Sequence, residues 1–566
     1  MNAASAGRRR DTLTASALFL ATAAFTLWQN ARVAALWDIS YLLDSSYRFS
    51  LGQMPFRDVP FVHPPLHYLL HAAIIKIFGR IYYPHILCAA LAAGLATVLT
   101  WRILLHLLKP LGNRAWLIAT LLAAPLIVLG IYAIYPHPIY DSDSIFAVLL
   151  ALFLLQRADS HQPTPAGCLR SVLAGAACVL PLFVKQNIGL PFLLIVLAAV
   201  VVLAILRRLR RIPIAPQLWF VAAAASSLAA ALLAIHATAG LHNYLYWTID
   251  FAAQRRLPGL RLILDTYRQT SLLWTIPAAI IAIALLRSDK LSTKRWTHPI
   301  ALLLLAAPFL WTIAALALTN DPDDRADQLL SLWPHLLLLA ATLAIANLRR
   351  LRAAPALNTL LPIILLATIE GAFLSQQLWG STYALWPLLL LLIASLLMQV
   401  PTIARSLAAI VAATLLLCGG LYAVSHERLS YAHLDGPEAH ATLPGLQGLT
   451  TPGPWIPDFE QLIRFTNTEI PANDGILLLP GEVPFYFATG RTPQFPVLLF
   501  DPATNPYTPQ QVLDLARARN IRWLIVTRNL QIAVIAEPDL PEVIRTLQQD
   551  FVPYRTLANY DIYCRK

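Results

Sequence analysis

The stretch RRRDTLTASALFLATAAFTLW, residues 8–28, decides how this chain is read. Three arginines, Arg8, Arg9 and Arg10, precede an apolar segment, Ala15 to Trp28. Such a run approaches the ~20 residues that cross a bilayer, and basic residues at one end mark that end as cytoplasmic. Whatever follows Trp28 is then expected outside. A cleaved signal peptide shares the basic start and the apolar stretch. No good small-residue cleavage site follows, so the segment reads as a retained signal anchor.

Working outward, the pattern repeats along the chain. Of 566 residues, 58% are hydrophobic and 13% charged, with a mean hydropathy of +0.61. A soluble protein carries about 25% charged residues, so lipid is the main solvent and the chain is a polytopic membrane protein. Charge is split: residues 1–425 carry net +16 and the remainder net −4. A pI of 9.6 ordinarily raises nucleic acid as a partner. Here the basic residues gather at the ends of apolar segments, where topology requires them, so nucleic-acid binding is set aside. Cys88, Cys168, Cys178, Cys418 and Cys564 show neither a CxxC nor a His-linked spacing, which gives no disulfide framework and no zinc motif.

Basic residues also set the register of the spans. Lys109 and Arg114 link the apolar runs near 83–108 and 115–135; Arg157 and Arg170, the cluster Arg207, Arg208, Arg210 and Arg211, Arg287 to Arg295, and Arg349 to Arg352 fall inside by the same rule. Two amphipathic pieces, Ser40–Leu51 and Pro65–Phe78, are too short to span and read as helices on the outer membrane face. About thirteen transmembrane helices result, ending near Val424. The expected division is an all-α membrane domain, 1–424, with outer loop 37–79, and an extracytoplasmic α/β domain, 425–566. In that tail GILLLP (475–480) and RWLIVT (522–527) read as buried strands among helical patterns at 458–467, 509–519 and 540–550. The N-terminus is then cytoplasmic and the tail periplasmic, in a cytoplasmic (inner) membrane.

Acids are costly in such a protein and therefore informative. Asp38, Asp44 and Asp58 fall in the first outer loop, Asp141 and Asp143 in the second (PHPIYDSDS), Asp250 and Asp265 in the loop 237–270, and Asp321, Asp323, Asp324 and Asp327 in DPDDRAD. Asp38 follows Trp37 at the water boundary, a place that suits a general base; an ordinary solvated acid ending the helix is the plain alternative. Asp141 and Asp143 begin an inward helix, whose dipole they would favour, and their spacing also offers two oxygens to a divalent ion. DPDDRAD reads as a solvated loop and helix start. Outer basic residues stand against the topological trend: Arg48, Arg57, Lys76 and Arg80, then Arg255, Arg256, Arg261 and Arg268, and Lys185 in VKQNIG. Beside acids on one face they would hold an anionic head group, with arginine able to grip phosphate in two places; contact with lipid phosphates or loop acids is the alternative.

The segment WDISYLLDSSYRFSLGQMPFRDVPFVHPPLHYLL, residues 37–70, resembles the first outer loop of the C-type (GT-C) glycosyltransferases. In the polyprenyl-phosphate-sugar-dependent members, such as protein O-mannosyltransferases and the aminoarabinose transferase of lipid A, an Asp shortly after the first helix precedes a Gly-Pro-aromatic-Arg-Asp stretch and a Pro-Pro. Here these are Asp38, Gly52, Pro55, Phe56, Arg57, Asp58, Pro64 and Pro65. YDSDSIF from Tyr140, FVKQNIGLPFLL from Phe183 and VPFYFATGRTP (483–493) are similar to further blocks of the superfamily. The usual Asp-Glu pair is Asp38-Ile39, which makes Asp44, two turns on, the second candidate for the base.

The resemblance implies a sugar donor on polyprenyl phosphate and a glycan, lipid or protein acceptor, with membrane lipids around. Asp38 would take the acceptor proton. Arg57, Lys185 and Arg255 or Arg256 would stabilise the leaving phosphate, with His63 able to donate. Asp141 or Asp143 would orient the acceptor or hold a divalent metal ion. Attack opposite the phosphate would invert the anomeric centre. Asp58 and the tail stretch EVPFYFATGR, with Glu482, Tyr486 and Arg491, are candidate contacts to acceptor or sugar, a packed strand and turn being the alternative for the stretch. The rival class is a transporter or a non-catalytic protein binding lipid-linked glycan. Transporters usually place ionisable groups at mid-membrane and show paired repeats; this chain does neither, Glu370 apart.

Overall fold

The computed structural model describes residues 3–133, 135–158, 164–256, 260–318, 329–353, 355–376, 384–425, 429, 431–532 and 540–566. The run DPDDRAD lies outside them, as does the side chain of Arg256. Among the described residues, ten helices are long and apolar enough to cross a membrane. Leu66–Phe78, Leu272–Arg287 and Trp386–Leu397 are shorter apolar helices, so the count by length and composition is ten where the sequence reading expects about thirteen. The protein is a multi-pass membrane protein.

In order, the first helices are α1 (Ala3–Asn30), α2 (Leu36–Ser50), α3 (Leu66–Phe78), α4 (Tyr83–Leu107), α5 (Ala115–Ala123), α6 (Leu126–Leu129), α7 (Tyr140–Ala158), α8 (Pro165–Val184) and α9 (Gln186–Leu209). Their patterning is that of lipid-solvated helices. Along α9, Ile188, Phe192, Val196 and Leu203 are buried while Leu190, Leu194, Val201 and Ile205 stand exposed. In water such an apolar face would drive association; in a bilayer it meets acyl chains and every backbone group is satisfied within the helix. Basic residues at helix ends meet neighbouring helices: Arg210 donates to Ala353 O and Arg352 O, and Arg102 pairs with Asp11.

The tail holds the α/β domain. Strands β1 (Glu438–His440) and β2 (Thr450–Pro452) pair antiparallel, and β3 (Gly475–Leu479), β4 (Ile521–Thr527), β5 (Phe551–Thr556) and β6 (Tyr560–Arg565) form one sheet of order β3-β4-β6-β5, parallel only between β3 and β4. GILLL reads as continuous apolar sequence because both faces of β3 are covered. Leu477 and Leu479 enter the domain's own core with Phe495, Val512 and Leu547, while Ile476 and Leu478 join the core that continues into the helices.

One expectation changes. α2 does not lie on the membrane face: twelve of its fifteen residues are buried, and its polar side chains hold the tail. Ser40 Oγ is 2.6 Å from Gly481 O, Tyr47 Oη donates to Gly490 O at 2.9 Å, and Arg48 donates to the carbonyls of Pro496 and Phe495. The amphipathic pattern is the same for a helix under lipid and a helix under a second domain; only the packed tail distinguishes them. In α3 the polar residues His67, Tyr68 and His71 point inward while Leu66, Leu69, Leu70, Ile77 and Phe78 face out, the inverse of a helix in water.

Candidate active site

Between α2, the α6–α7 connection and the tail lies an open pocket lined among others by Trp37, Asp38, Tyr41, His63, His67, Tyr68, Tyr135, Tyr140, Tyr431, Asp501 and Thr504. Asp38 sits in the first turn of α2 with its side chain 29% exposed. Tyr431 Oη donates to Asp38 Oδ2 at 2.9 Å, and His137 Nε2 lies 3.9 Å from the same oxygen. Burial and the Asp38 charge push the phenols of Tyr431 and Tyr135 well above their ordinary range, so both stay protonated and able to donate. His63 stacks on Tyr140 at 4.4 Å, and Tyr41, Phe61 and Tyr68 meet at 4.7–5.8 Å.

Lys185 occupies the apex of a helix hairpin. It is extended between α8 and α9 (φ −150°, ψ 114°), and Gly189 permits the reversal, since a Cβ there would stand 2.1 Å from Leu182 N. The ammonium pairs with Asp141 Oδ1 and lies 4.8 Å from the Tyr140 ring centroid; Lys185 and Asp141 are 4% and 6% exposed. Asp141 Oδ2 is buried without a hydrogen-bond partner. Two positions away, Asp143 accepts from Tyr132 Oη and lies 2.6 Å from His67 Nδ1. Asp38, His63, Asp141, Asp143 and Lys185 are thus gathered within and behind one pocket wall.

The other candidates are placed elsewhere. Asp44 is 3% exposed and is absent from the pocket lining; its carboxyl accepts the backbone N–H of Phe487 at 2.7 Å and of Tyr486 at 3.2 Å, with burial raising its pKa to about 7. It docks the tail. Arg57 and Asp58 pair with each other at 2.8 Å on the surface, where Asp58 also accepts from Met54 N, and the Arg57 guanidinium holds that carboxyl below its usual range. Arg255 Nη1 donates to Asn505 O at 3.0 Å and to Pro502 O, tying its helix to the loop that supplies Asp501 and Thr504. In the tail, Tyr486 Oη donates to Ile476 O and Arg491 to Thr466 O and Ile470 O; residues 485–489 are a short helix rather than a strand. Tyr431, Tyr135, His137, Asp501 and Thr504 were not singled out by sequence, being ordinary in local context. The His67/His71 pair, four apart on one helix face, is the one sequence signal that was available.

Glu482 Oε1 accepts from Ile532 N at 3.1 Å in an almost closed site, and burial lifts its pKa from 4.5 to about 8. A folded-state value above the unfolded one means that its contribution to stability is complete below about 4.5 and lost as pH rises through about 8. Glu482→Gln keeps the accepting oxygen and removes the titration. Thermal unfolding in detergent between pH 5 and pH 8.5 is therefore expected to lose several degrees in the wild type and less in the variant; equal losses would overturn the assignment. Asp44 leaves a slope of the same sign in both proteins.

Together these features define a multi-pass helical membrane protein with an aromatic, acid-bearing pocket under a C-terminal α/β domain. No protein-family model and no curated protein matches the sequence. Solved structures similar to it are ArnT from Cupriavidus metallidurans bound to undecaprenyl phosphate (12% identity, 97% of each chain, TM-score 0.44) and the oligosaccharyltransferase of Archaeoglobus fulgidus in complex with Zn and sulfate (12% identity, 97% of this chain and 73% of that one, TM-score 0.46).

Proposed function

We propose that the protein is a membrane glycosyltransferase that moves a sugar from a polyprenyl-phosphate-linked donor to an acceptor hydroxyl, in the pocket on the outer face of the cytoplasmic membrane. The observation that carries this reading is Asp38: a carboxylate on the wall of a pocket walled by aromatic rings, oriented by Tyr431 and open to solvent. Aromatic faces suit the apolar faces of a sugar ring, and a few convergent polar groups fix its orientation.

In the step itself the acceptor oxygen forms a bond to the anomeric carbon as the bond from that carbon to the phosphate oxygen breaks. The hydroxyl proton goes to Asp38, and the electron pair leaves on the lipid phosphate, which gains one negative charge. His63 on the wall, and Lys185 with Asp141 buried behind Tyr140, are the groups suited to meet that charge. Attack opposite the phosphate inverts the anomeric centre. Residues 1–424 form the transferase domain in this reading, and 425–566 cap its acceptor side.

Purified protein in nanodiscs, incubated with radiolabelled polyprenyl-phosphate sugars and membrane acceptors, is expected to consume one donor of the panel. Donor that binds and is never consumed would favour a lipid-linked-glycan-binding protein instead.

A further inference from the structure

We propose that His67, His71 and Asp143 form a binding site for a borderline divalent cation, Zn²⁺ by its donor set, behind the pocket wall. One ligand atom from each lies within 4.8 Å of the other two. Zinc binds imidazole nitrogen at about 2.0–2.1 Å, which places tetrahedral donors roughly 3.4 Å apart, so rotation of side chains closes the set without moving backbone. Two neutral imidazoles and one carboxylate are a zinc-type set, softer than the all-oxygen cages of Mg²⁺ or Ca²⁺.

Three features point to a cation. First, His67 and His71 are four residues apart on the inward face of α3, and Asp143 comes from α7, so the donors converge from separate elements on a point inside the protein. Second, the outer shell is built. Tyr132 Oη holds Asp143 Oδ1, and His85 Nδ1, on α4, lies 2.7 Å from His71 Nδ1. Two nitrogens at that distance share one proton, and such an outer partner fixes the tautomer of a ligating histidine. His85 is fully buried, and its Nε2 has no hydrogen-bond partner, so this imidazole is held for its contact with His71. Third, among the described residues the only basic group paired with Asp143 is the His67 imidazole, 2.6 Å from Oδ2. Asp141 has Lys185, whereas among the described residues no Lys or Arg pairs with Asp143. A carboxylate in such a place calls for a positive partner. An ion there would also clamp α3, α4 and α7, the elements behind His67 and Tyr140.

The competing arrangement is a metal-free His67–Asp143 ion pair. Metal content decides between them without reference to transfer activity, so it stands or falls apart from the proposed function. Protein purified without a metal-affinity step, loaded with ZnCl2 and desalted, is expected to retain one equivalent of zinc per chain and to unfold at a higher temperature than chelator-treated protein. His71→Gln, a residue outside the pocket lining, is expected to lose at least about tenfold in zinc affinity, while His433→Gln on the exposed tail surface keeps it. Replacing zinc by Co²⁺ in the wild type is expected to give the intense visible absorption of a tetrahedral site, a readout that needs no variant to fold. Substoichiometric zinc in the wild type, an octahedral cobalt spectrum, or full zinc retention by folded His71→Gln would each overturn the site.

Discussion

Asp38→Asn is expected to abolish sugar transfer while leaving donor binding in place. The amide keeps the shape of the carboxylate and an oxygen for the Tyr431 hydroxyl, 2.9 Å away in the wild type, so the pocket wall need not rearrange. What disappears is the base. A positioned general base contributes about 10²–10⁴ in rate, and the loss should fall on kcat with the KM for donor little changed. Asp44→Asn is the informative contrast. Its carboxyl holds two backbone N–H groups of the tail, and an amide nitrogen facing either would leave a buried donor unpaired, at about 1–3 kcal/mol. Asp44→Asn should therefore lower the melting temperature, with turnover per folded molecule retained. The reverse pattern, activity surviving Asp38→Asn and lost in folded Asp44→Asn, would move the base to Asp44.

The second large effect is expected at Lys185. Lys185→Met removes the partner of a buried carboxylate, and breaking a buried pair in this way costs about 3–5 kcal/mol because the remaining charge is stranded. The expected result is a clear fall in melting temperature and in monodisperse yield. The double variant Lys185→Met/Asp141→Leu removes both charges and should recover most of that stability, since apolar replacement of a buried pair is often neutral. Transfer separates the two roles of the lysine. If Lys185 also meets the leaving phosphate, the refolded double variant stays slow by about 10²–10³. A single variant as stable as the wild type would show that Asp141 finds another partner or a proton.

The placement of these residues explains what each kind of information can reach. The apolar runs, the arginines at their ends and the short strands of the tail follow local rules: hydropathy at a length of ~20 residues, charge asymmetry, and short continuous apolar runs bounded by turn residues. That is why most of the spans and the α/β tail were legible, and why Lys185, a cation interrupting an apolar stretch, and the acids of YDSDSIF stood out. An ionisable group in lipid is expensive wherever it occurs, and its cost marks it without a structure.

What only the tertiary structure decided is which of those groups meet. Asp38 and Tyr431 are 393 residues apart in the chain, and no periodicity links them. Asp44 looks as good a base as Asp38 until the tail is seen to close over it. Arg57, Arg255, Glu482, Tyr486 and Arg491 have the chemistry of sugar and phosphate contacts, yet the fold commits most of their polar atoms to loops and backbone carbonyls. The physical reason is common to all of them. Sequence determines the transfer free energy of each segment, which sets the topology, whereas the role of a polar side chain depends on the partner that replaces its water. That partner is chosen by the packing of α2 against the tail and of α3 against α7, contacts that exist only in three dimensions.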